Sequence, residues 1–482
     1  MSHPSAAIRA AFDPERFRVD GHRVVDALAD QLARWHAREG AVVPWRDPTH
    51  ARSAWRLSGE PGADLVGDLL DAARASTALA NPRCMAHQVP PPLPASVLAE
   101  AVAALLNNGM AVAEMGPAAV PIELAVLEWM CGKLGMPAGA GGVMTSGGSL
   151  GNLTALLAMR QAHAGFDVWT AGAHAGPPLA VIVADEAHYS IARTLRIMGW
   201  GDGGAIAAST DGHHRLTAAA VERALAAAGD DRRVIGIVAA AGSTATGAYD
   251  PLDELADVAA RHRLWLHVDA AHGGGAALSA THRAKLRGIE RADSVVWDAH
   301  KLLMMPALVT AVLFKRESHA YEAFAQRASY LFAAGSEPAE TWWDLGQRTL
   351  ECTKRMMALE LWATVRWLGD AWFGEVVDRQ HALAQELAGK LATAPDFELA
   401  LAPESNIVCY RHLPTGGGDL DAHNRALRRH VVLDGTFYVV GTQLGDSYYL
   451  RSALMNPLIE IRDLDDLLDH LREIGRRRPW LG

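Results

Sequence analysis

The sequence predicts an α/β protein with a mostly parallel, doubly wound central sheet and a small α+β domain at its C-terminal end. From Gly139 onward, short apolar runs typical of buried strands alternate with helical patterns over about two hundred residues. Glycine-rich turns separate them. Half of the 482 residues are hydrophobic, which is enough for a large core and a second, smaller one.

The first 80 residues carry helical patterns and no strand pattern. Apolar residues recur at helical spacing over residues 20–38, and a second helix is predicted over residues 62–75. These two helices resemble an arm that packs on a partner chain, and they could equally cap the same chain. We assign residues 1–80 to an N-terminal helical arm.

A large domain is predicted over residues 81–369. Its opening loop contains the proline run from Pro90 to Pro94, which prevents a helix before Ala95. The predicted strands are residues 179–183, 234–239, 264–268, 294–297 and 310–314. The predicted helices are residues 95–107, 122–134, 150–162, 218–228, 252–261 and 355–368.

A small α+β domain is predicted over residues 370–482. Short elements are expected at residues 397–402, 407–410, 436–440 and 448–450, followed by a closing helix at residues 463–474. In doubly wound sheets, ligands bind beyond the carboxyl ends of the strands. Residues that follow the strands of the large domain are therefore the first candidates for a site.

Charge and composition argue against several classes of partner. The net charge of −10 gives no basic excess for nucleic acid or an anionic membrane. The apolar runs are short and interrupted, so no membrane span is expected, and the N-terminus lacks a secretory pattern. Four cysteines without CxxC spacing favour a reducing cytoplasm over a disulfide framework.

The stretch from Asp293 to Lys301 places a lysine directly after a predicted buried strand. Burial disfavours the ammonium form of a lysine and makes its amine a usable nucleophile. Lys301 is therefore a candidate nucleophile. A surface lysine that ends a strand would have the same local pattern.

A glycine-rich turn, Thr145 to Asn152, opens a predicted helix. Gly147 and Gly148 let backbone N–H groups approach a ligand closely, and Ser149 adds a hydroxyl. A helix N-terminus offers free N–H groups and positive potential, which suits a phosphate. The spacing fits neither a dinucleotide nor a nucleoside triphosphate motif. A helix cap without a ligand remains open.

Asp269 directly follows the predicted strand 264–268, and small residues come after it. Its carboxylate is expected at the ligand edge, with room for a flat ring above Ala270 and Ala271. The alternative for Asp269 alone is a helix N-cap. A metal site is a second alternative, with ligands from His267, Asp269, His272, Asp298 and His300.

One ligand requires a phosphate cradle, a carboxylate beside an aromatic nitrogen and a lysine amine. Pyridoxal phosphate fits these requirements. Lys301 would form a Schiff base with it, Asp269 would keep its pyridine nitrogen protonated, and the helix N-terminus at residues 147–152, which ends at Asn152, would hold its phosphate. The metal hypothesis explains neither the glycine-rich turn nor Lys301.

Several ordered motifs carry a family resemblance over residues 80–460. They include Leu-His-Val-Asp-Ala-Ala-His-Gly-Gly-Gly at 266–275, Asp-Ala-His-Lys at 298–301, and segments 145–152, 241–251, 282–294, 328–332 and 450–457. Together they resemble the group II pyridoxal-phosphate-dependent amino-acid decarboxylases. This family includes glutamate, cysteine-sulfinate, aromatic amino-acid and diaminobutyrate decarboxylases, and the glutamate and cysteine-sulfinate branch is the most similar.

The resemblance implies fold type I, the aspartate-aminotransferase-like fold, and a homodimer in which the arm serves dimerisation. It implies decarboxylation of an L-amino acid to the corresponding amine and CO2. His188 would stack on the cofactor ring and Ala271 would pack on its other face. Ser294 and His300 would join Gly147, Gly148 and Ser149 around the phosphate. Thr244 would lie near the oxygen substituents of the ring, and Arg451 would pair with the substrate carboxylate.

Two segments depart from the family pattern. The loop after residue 332 carries Ala339 where relatives carry a tyrosine that would protonate Cα. Decarboxylation-coupled oxidation and transamination therefore stay open as alternatives. The segment Met110 to Met115 also differs, and the substrate side-chain site would fall on His87 and Gln88. Outside pyridoxal enzymes, a metallohydrolase and a non-catalytic binding protein are the competing hypotheses.

Overall fold

The structure is a computed structural model that describes residues 3–57, 64–229, 231–324 and 342–477. The helices are α1 Ala6–Ala11, α2 Pro14–His36, α3 Pro48–Ala51, α4 Leu65–Arg74, α5 Pro94–Leu106, α6 Ala119–Leu134, α7 Gly148–His163, α8 Val168–Ala171, α9 Ser190–Ile197, α10 Ala218–Ala227, α11 Leu252–His262, α12 His319–Phe324, α13 Ala358–Thr393, α14 Leu420–Asp434 and α15 Ile461–Arg477. The strands are β1 Gly141–Thr145, β2 Leu179–Ala184, β3 Ala205–Ala208, β4 Arg233–Ala240, β5 Trp265–Asp269, β6 Ser294–Asp298, β7 Thr310–Phe314, β8 Phe397–Leu399, β9 Ile407–His412, β10 Val440–Leu444 and β11 Ser447–Ala453.

The central sheet has the strand order β1-β7-β6-β5-β4-β2-β3. Strand β7 pairs antiparallel with both of its neighbours, and the other pairs are parallel. Six of the seven strands therefore share one direction, which confirms the mostly parallel sheet. Their carboxyl ends meet at one edge. At that edge, Thr145 pairs with Thr310, which in turn pairs with Asp298.

Helices cover both faces of this sheet, as the alternation of buried residues requires. In β6, Val295 and Trp297 pack into the core that contains α6, α10 and α11. Val296 points to the opposite core, which contains α7, α9 and α12. All five residues of β6 are buried. A strand buried on both faces reads as a continuous apolar run, and this is why the sequence pattern identified it.

A second sheet, with the order β10-β11-β9-β8, is antiparallel. Its core joins Leu387 of α13, Tyr410 of β9, Leu427 of α14 and Leu467 of α15. Helix α13 is interrupted at Gly369, whose φ of 74° and ψ of 168° are not helical. The division into residues 1–80, 81–369 and 370–482 stays a prediction.

Some elements escaped the sequence patterns. β1 was not predicted because Gly141 and Gly142 are poor strand formers. The structure explains Gly142, since a Cβ there would collide with the carbonyl oxygen of Val312 on β7. Short β3 and polar α14 were also missed. The element predicted at residues 436–440 is wrong in place, because the strand there begins at Val440.

The N-terminal helices bury almost nothing in the single chain. No residue of α1 or α2 is buried, and Phe12 and Phe17 are 84% and 66% exposed. Within the described residues, no helix has the combined length and apolar character needed to span a bilayer.

Candidate active site

A cavity of about 320 Å³ opens at the carboxyl edge of the central sheet. This volume lies at the lower end of the range for small-molecule sites, about 300–1,000 Å³. The cavity brings together most of the site residues predicted from the sequence. They are Gly147, Gly148, Ser149, Asn152, His188, Thr244, Asp269, Ala271, His300 and Lys301. Ser294, His87, Gln88 and Arg451 do not line it.

Lys301 stands three residues beyond the end of β6, beside Asp298. The distance from Lys301 Nζ to Asp298 Oδ2 is 3.3 Å, and Asp298 is buried. The other Asp298 oxygen accepts a hydrogen bond of 2.6 Å from the hydroxyl of Thr310. Nδ1 of His300 lies 2.9 Å from the backbone oxygen and 3.2 Å from the backbone nitrogen of Val309. Nε2 of His300 lies 3.5 Å from Asp298 Oδ2. The lysine is therefore held by a carboxylate that the sheet itself fixes.

The glycine-rich turn forms a cradle at the start of α7. Gly147 has a φ of 100°, which favours glycine. A Cβ on Gly148 would lie 3.2 Å from Asp298 Oδ2 and 3.5 Å from the Cβ of Ala271, so a side chain there would narrow the cavity. The first N–H groups of a helix have no intrahelical acceptor. At Gly148 and Ser149 they face no acceptor among the described residues.

Asp269 ends β5 at the same edge. Its Oδ2 accepts a hydrogen bond of 2.9 Å from the side-chain amide of Asn152, and its Oδ1 accepts one of 3.2 Å from the backbone N–H of Ala271. These two donors fix the plane of the carboxylate. The structure therefore places Asp269 at the carboxyl edge of the sheet, as the sequence predicts.

His188 follows β2 and lines the cavity. Its Nδ1 lies 2.7 Å from the hydroxyl of Ser190. Burial lowers the pKa of His188, and the negative charge of Asp269 opposes this effect. Ala271 lines the same cavity. His188 and Ala271, the two residues predicted to flank a flat ring, therefore both line the cavity.

Ser294 lies elsewhere than predicted. It begins β6, at the end of the strand remote from the cavity, and is fully buried. Its hydroxyl accepts a hydrogen bond of 2.8 Å from Trp265 Nε1 and lies 2.8 Å from Nδ1 of His267. The expected phosphate contact of Ser294 is thus corrected, because the strand carries the residue away from the ligand edge.

Arg451 and His87 form a second cluster next to the cavity, and Gln88 follows His87 in the chain. The guanidinium of Arg451 donates to the backbone oxygens of Thr244 at 2.8 Å, Ala245 at 3.0 Å and Ala86 at 3.4 Å. Arg451 is buried, and this desolvation lowers its pKa. Since Thr244 lines the cavity, the cluster adjoins it at that residue.

A polar pair in the cavity was missed by sequence analysis. His214 Nδ1 lies 2.8 Å and 2.9 Å from the two carboxylate oxygens of Glu186. Nearby, burial raises the pKa of Asp250 to about 7, and its carboxylate accepts hydrogen bonds from the backbone of Leu216 and Ala240. Glu186 precedes His188 by two residues, which is the only signal for it. No local pattern connects it with His214.

The metal hypothesis finds no support in the geometry. His267 is engaged by Ser294 and Asn152, and His272 Nε2 is 2.7 Å from the side-chain oxygen of Asn406. Within the described ranges, no group of three or more potential ligands is arranged to hold a metal ion. The loop that contains Ala339 lies outside the described residues.

The donor set fits pyridoxal phosphate. The cradle at Gly148 leaves room that a Cβ would take, and free N–H groups face it. Lys301 supplies an amine and Asp269 a carboxylate to the same cavity. The fold and this site together define a pyridoxal phosphate enzyme of fold type I.

Comparisons with known proteins agree with that class. Residues 77–413 match the sequence model of the pyridoxal-dependent decarboxylase conserved domain. Human cysteine sulfinic acid decarboxylase is 30% identical over 453 residues, covering 90% of this chain and 91% of its own length. Mouse acidic amino acid decarboxylase GADL1 is 31% identical over 395 residues, covering 79% of this chain and 71% of its own length.

Solved structures give the same result. The crystal structure of mouse CSAD has a TM-score of 0.89 and 27% identity, covering 96% of this chain and 99% of its own. That of Oryza sativa TDC with PLP and tryptamine has a TM-score of 0.87 and 25% identity, covering 97% and 99%.

The chain belongs to the pyridoxal-dependent decarboxylase family, and its cofactor is pyridoxal phosphate. Its reaction is the decarboxylation of an amino acid. The oxidative and aminotransfer alternatives are not favoured, since the relatives named above are decarboxylases.

The pKa of the buried residue His267 predicts how the free energy of unfolding depends on pH. Burial lowers the pKa of His267 to about 4 from 6.5. Between these values the unfolded chain binds a proton there that the folded chain does not. The free energy of unfolding therefore falls as pH decreases from 6.5 toward 4, by up to about 1.4 kcal/mol per pH unit for this residue.

Equilibrium denaturant unfolding of the apoprotein at several pH values measures this slope. In His267→Gln, the slope should decrease by about 1.4 kcal/mol per pH unit, because the titrating group is gone. His50→Gln is the control, since the His50 side chain is 90% exposed. A slope unchanged in His267→Gln would contradict the assignment.

Proposed function

We propose that Lys301 binds the cofactor covalently and that Asp269 pairs with its ring nitrogen. His188 and Ala271 pack on the two faces of the ring, and its phosphate lies at the N-terminus of α7, against Gly148. The observation that carries the proposal is the meeting of Lys301, Asp269 and the α7 N-terminus in one cavity.

Each side chain has a defined task in the reaction. Lys301 would hold the cofactor through its Nζ, whose amine faces the cavity beside Asp298. Asp298, 3.3 Å away, keeps the freed lysine beside the reacting atoms. When bound, pyridoxal phosphate supplies a sink for the electron pair left at Cα by loss of CO2.

Asp269 holds a proton on the ring nitrogen, and the N–H groups of Asn152 and Ala271 keep its carboxylate oriented. His188 covers one ring face and excludes water from it. Stabilisation of developing charge by such fixed groups is usually the largest single contribution to catalysis.

We propose an acidic L-amino acid as the substrate. Two relatives carry names that specify cysteine sulfinic acid and acidic amino acids as substrates. Burial lowers the pKa of His87, and the positive charges of Arg451 and of Arg428, which lies on α14, lower it further, so the cluster next to the cavity is cationic. Arg428 Nε and Gln88 Nε2 are buried without a partner among the described residues. Such N–H donors suit a carboxylate or sulfinate.

We also propose a homodimer located in the cytoplasm. In the arm, Phe12 directly after α1 and Phe17 on α2 are exposed, and helix α5 exposes Leu98 and Leu105 at 62% and 72%. We expect a partner chain to cover these exposed apolar side chains. The four cysteines are free thiols, which is the state that a reducing compartment maintains.

The first test concerns Lys301. Borohydride reduction of the holoenzyme, followed by peptide mapping, should find the pyridoxyl group on the peptide that contains Lys301. In Lys301→Ala the label should vanish and decarboxylation should fall by about a thousandfold or more. Lys285→Ala removes a half-buried lysine outside the cavity and should keep both. A label on another lysine would refute the assignment.

The second test concerns the substrate. In a panel of L-amino acids, cysteine sulfinate, aspartate and glutamate should give equimolar CO2 and amine, ahead of aromatic and aliphatic amino acids. Arg428→Gln should raise KM for the acidic substrates about tenfold, because one charge-assisted contact is lost. Arg425→Gln, on the exposed side of the same helix, should not. Preference for an aromatic substrate would contradict the proposal.

The third test concerns assembly. Sedimentation of the whole chain should give the mass of two copies. The double variant Phe12→Glu and Phe17→Glu should shift the protein toward a single chain, since it places charges on the proposed interface. Ile197→Glu changes an equally exposed residue on α9 and should remain dimeric. A monomeric wild type would disprove this assembly.

A further inference from the structure

Asn152 occupies the centre of a buried hydrogen-bond network rather than a place at the phosphate. The side chain is 1% exposed. Its Nδ2 donates to Asp269 Oδ2 at 2.9 Å and to Ser190 Oγ at 2.9 Å, and its Oδ1 lies 3.0 Å from His267 Nε2. An amide has two N–H donors and one carbonyl acceptor. All are used here.

The chemistry of the neighbours fixes which way this amide points. A carboxylate only accepts hydrogen bonds, so Nδ2 must face Asp269. The carbonyl oxygen then faces His267, whose Nε2 must carry the proton. Because His267 is neutral above about pH 4, its Nδ1 is an acceptor. That acceptor takes the hydroxyl proton of Ser294, and Ser294 in turn accepts from Trp265 Nε1.

The second arm of the network leads to His188. Ser190 Oγ accepts one amide proton of Asn152, so its own proton is free to be donated. The nearest acceptor is His188 Nδ1, at 2.7 Å, and the backbone N–H of Ser190 points at the same nitrogen at 3.4 Å. Two donors therefore converge on Nδ1. The single proton of the neutral imidazole is left on Nε2.

We propose that Asn152 is a positioning residue that, through Ser190, keeps His188 neutral with its proton on Nε2 while its other N–H orients Asp269. This inference rests on the ring-stacking role proposed for His188. His188 then meets the cofactor and the substrate as a fixed N–H donor. It offers no lone pair at Nε2, and so it cannot serve there as a base.

Every hydrogen bond in the network runs in one direction, which strengthens the arrangement. Protons are donated from Trp265 through Ser294 and His267 to Asn152, and from there to Asp269 and to His188. Chains of this kind polarise one another. The charged groups that act on His188 are Asp269, Asp298, Lys301 and Arg193, and none of them bonds to Nδ1 in place of Ser190.

The pKa of His188 in the apoprotein tests the proposal without the cofactor. Hydrogen–deuterium exchange at the imidazole C2 atom, followed by mass spectrometry of the peptide that contains His188, gives this pKa. Ser190→Ala removes the donor to Nδ1, so the pKa should rise by about one unit. Ser190→Thr keeps the hydroxyl and should restore the wild-type value.

Asn152→Asp tests the centre of the network with an isosteric change. An aspartate cannot donate to Ser190, so the hydroxyl would turn toward the new carboxylate. Nδ1 of His188 could then hold a proton, and its pKa should rise more than in Ser190→Ala. The pH dependence of the bound-cofactor absorbance should move in Asn152→Asp and stay at the wild-type value in Ser190→Ala, because of these two residues only Asn152 contacts Asp269.

Unchanged His188 pKa values in folded Ser190→Ala and Asn152→Asp would overturn the inference. A rise in Ser190→Ala that Ser190→Thr does not reverse would also overturn it. Borohydride labelling of Lys301 in the same variants separates the two proposals. Absence of the label on Lys301 in the wild type would refute the proposed function. The pKa of His188 in the apoprotein would still decide the role of Asn152.

Discussion

Strands β5 and β6 run parallel and in register, with His267 beside Ser294 and Asp269 beside Val296. This pairing brings the ends of the two strands to the same edge of the sheet. Antiparallel β7 then returns Thr310 against Asp298, and β1 brings Thr145 and the cradle to the same level. Chemistry that needs a lysine, a carboxylate and a phosphate site within one cavity therefore depends on strand direction.

The part of the site that the sequence could predict is the part that local patterns encode. Lys301 and Asp269 each come at or shortly after the end of an apolar run typical of a buried strand, and Gly147 and Gly148 lie at the start of a helix. Those signals lie within a few residues of the side chain concerned. Asn152 was correctly placed near the cavity, but its partners lie on β5 and α9, and no local pattern encodes such contacts.

Ser294 illustrates the opposite case. Its position within a family motif suggested a phosphate contact, yet it begins β6 while Asp298 ends it. At a rise of roughly 3.3 Å per residue, one strand length separates the two. The Glu186–His214 pair was beyond prediction for a related reason, because it joins the segments that follow β2 and β3.

The two sides of the cavity solve different electrostatic problems. On one side, buried His267 and the side-chain amide of Asn152 pass hydrogen bonds toward Asp269, so this carboxylate is stabilised without an ion-pair partner among the described residues. Next to the cavity, the guanidinium of Arg451 keeps its charge by donating to three backbone carbonyls. A buried charge needs such partners, since an unpaired one is costly. Asp269 and Arg451 carry opposite charges, and among the described residues neutral hydrogen-bonding groups rather than counter-ions stabilise both.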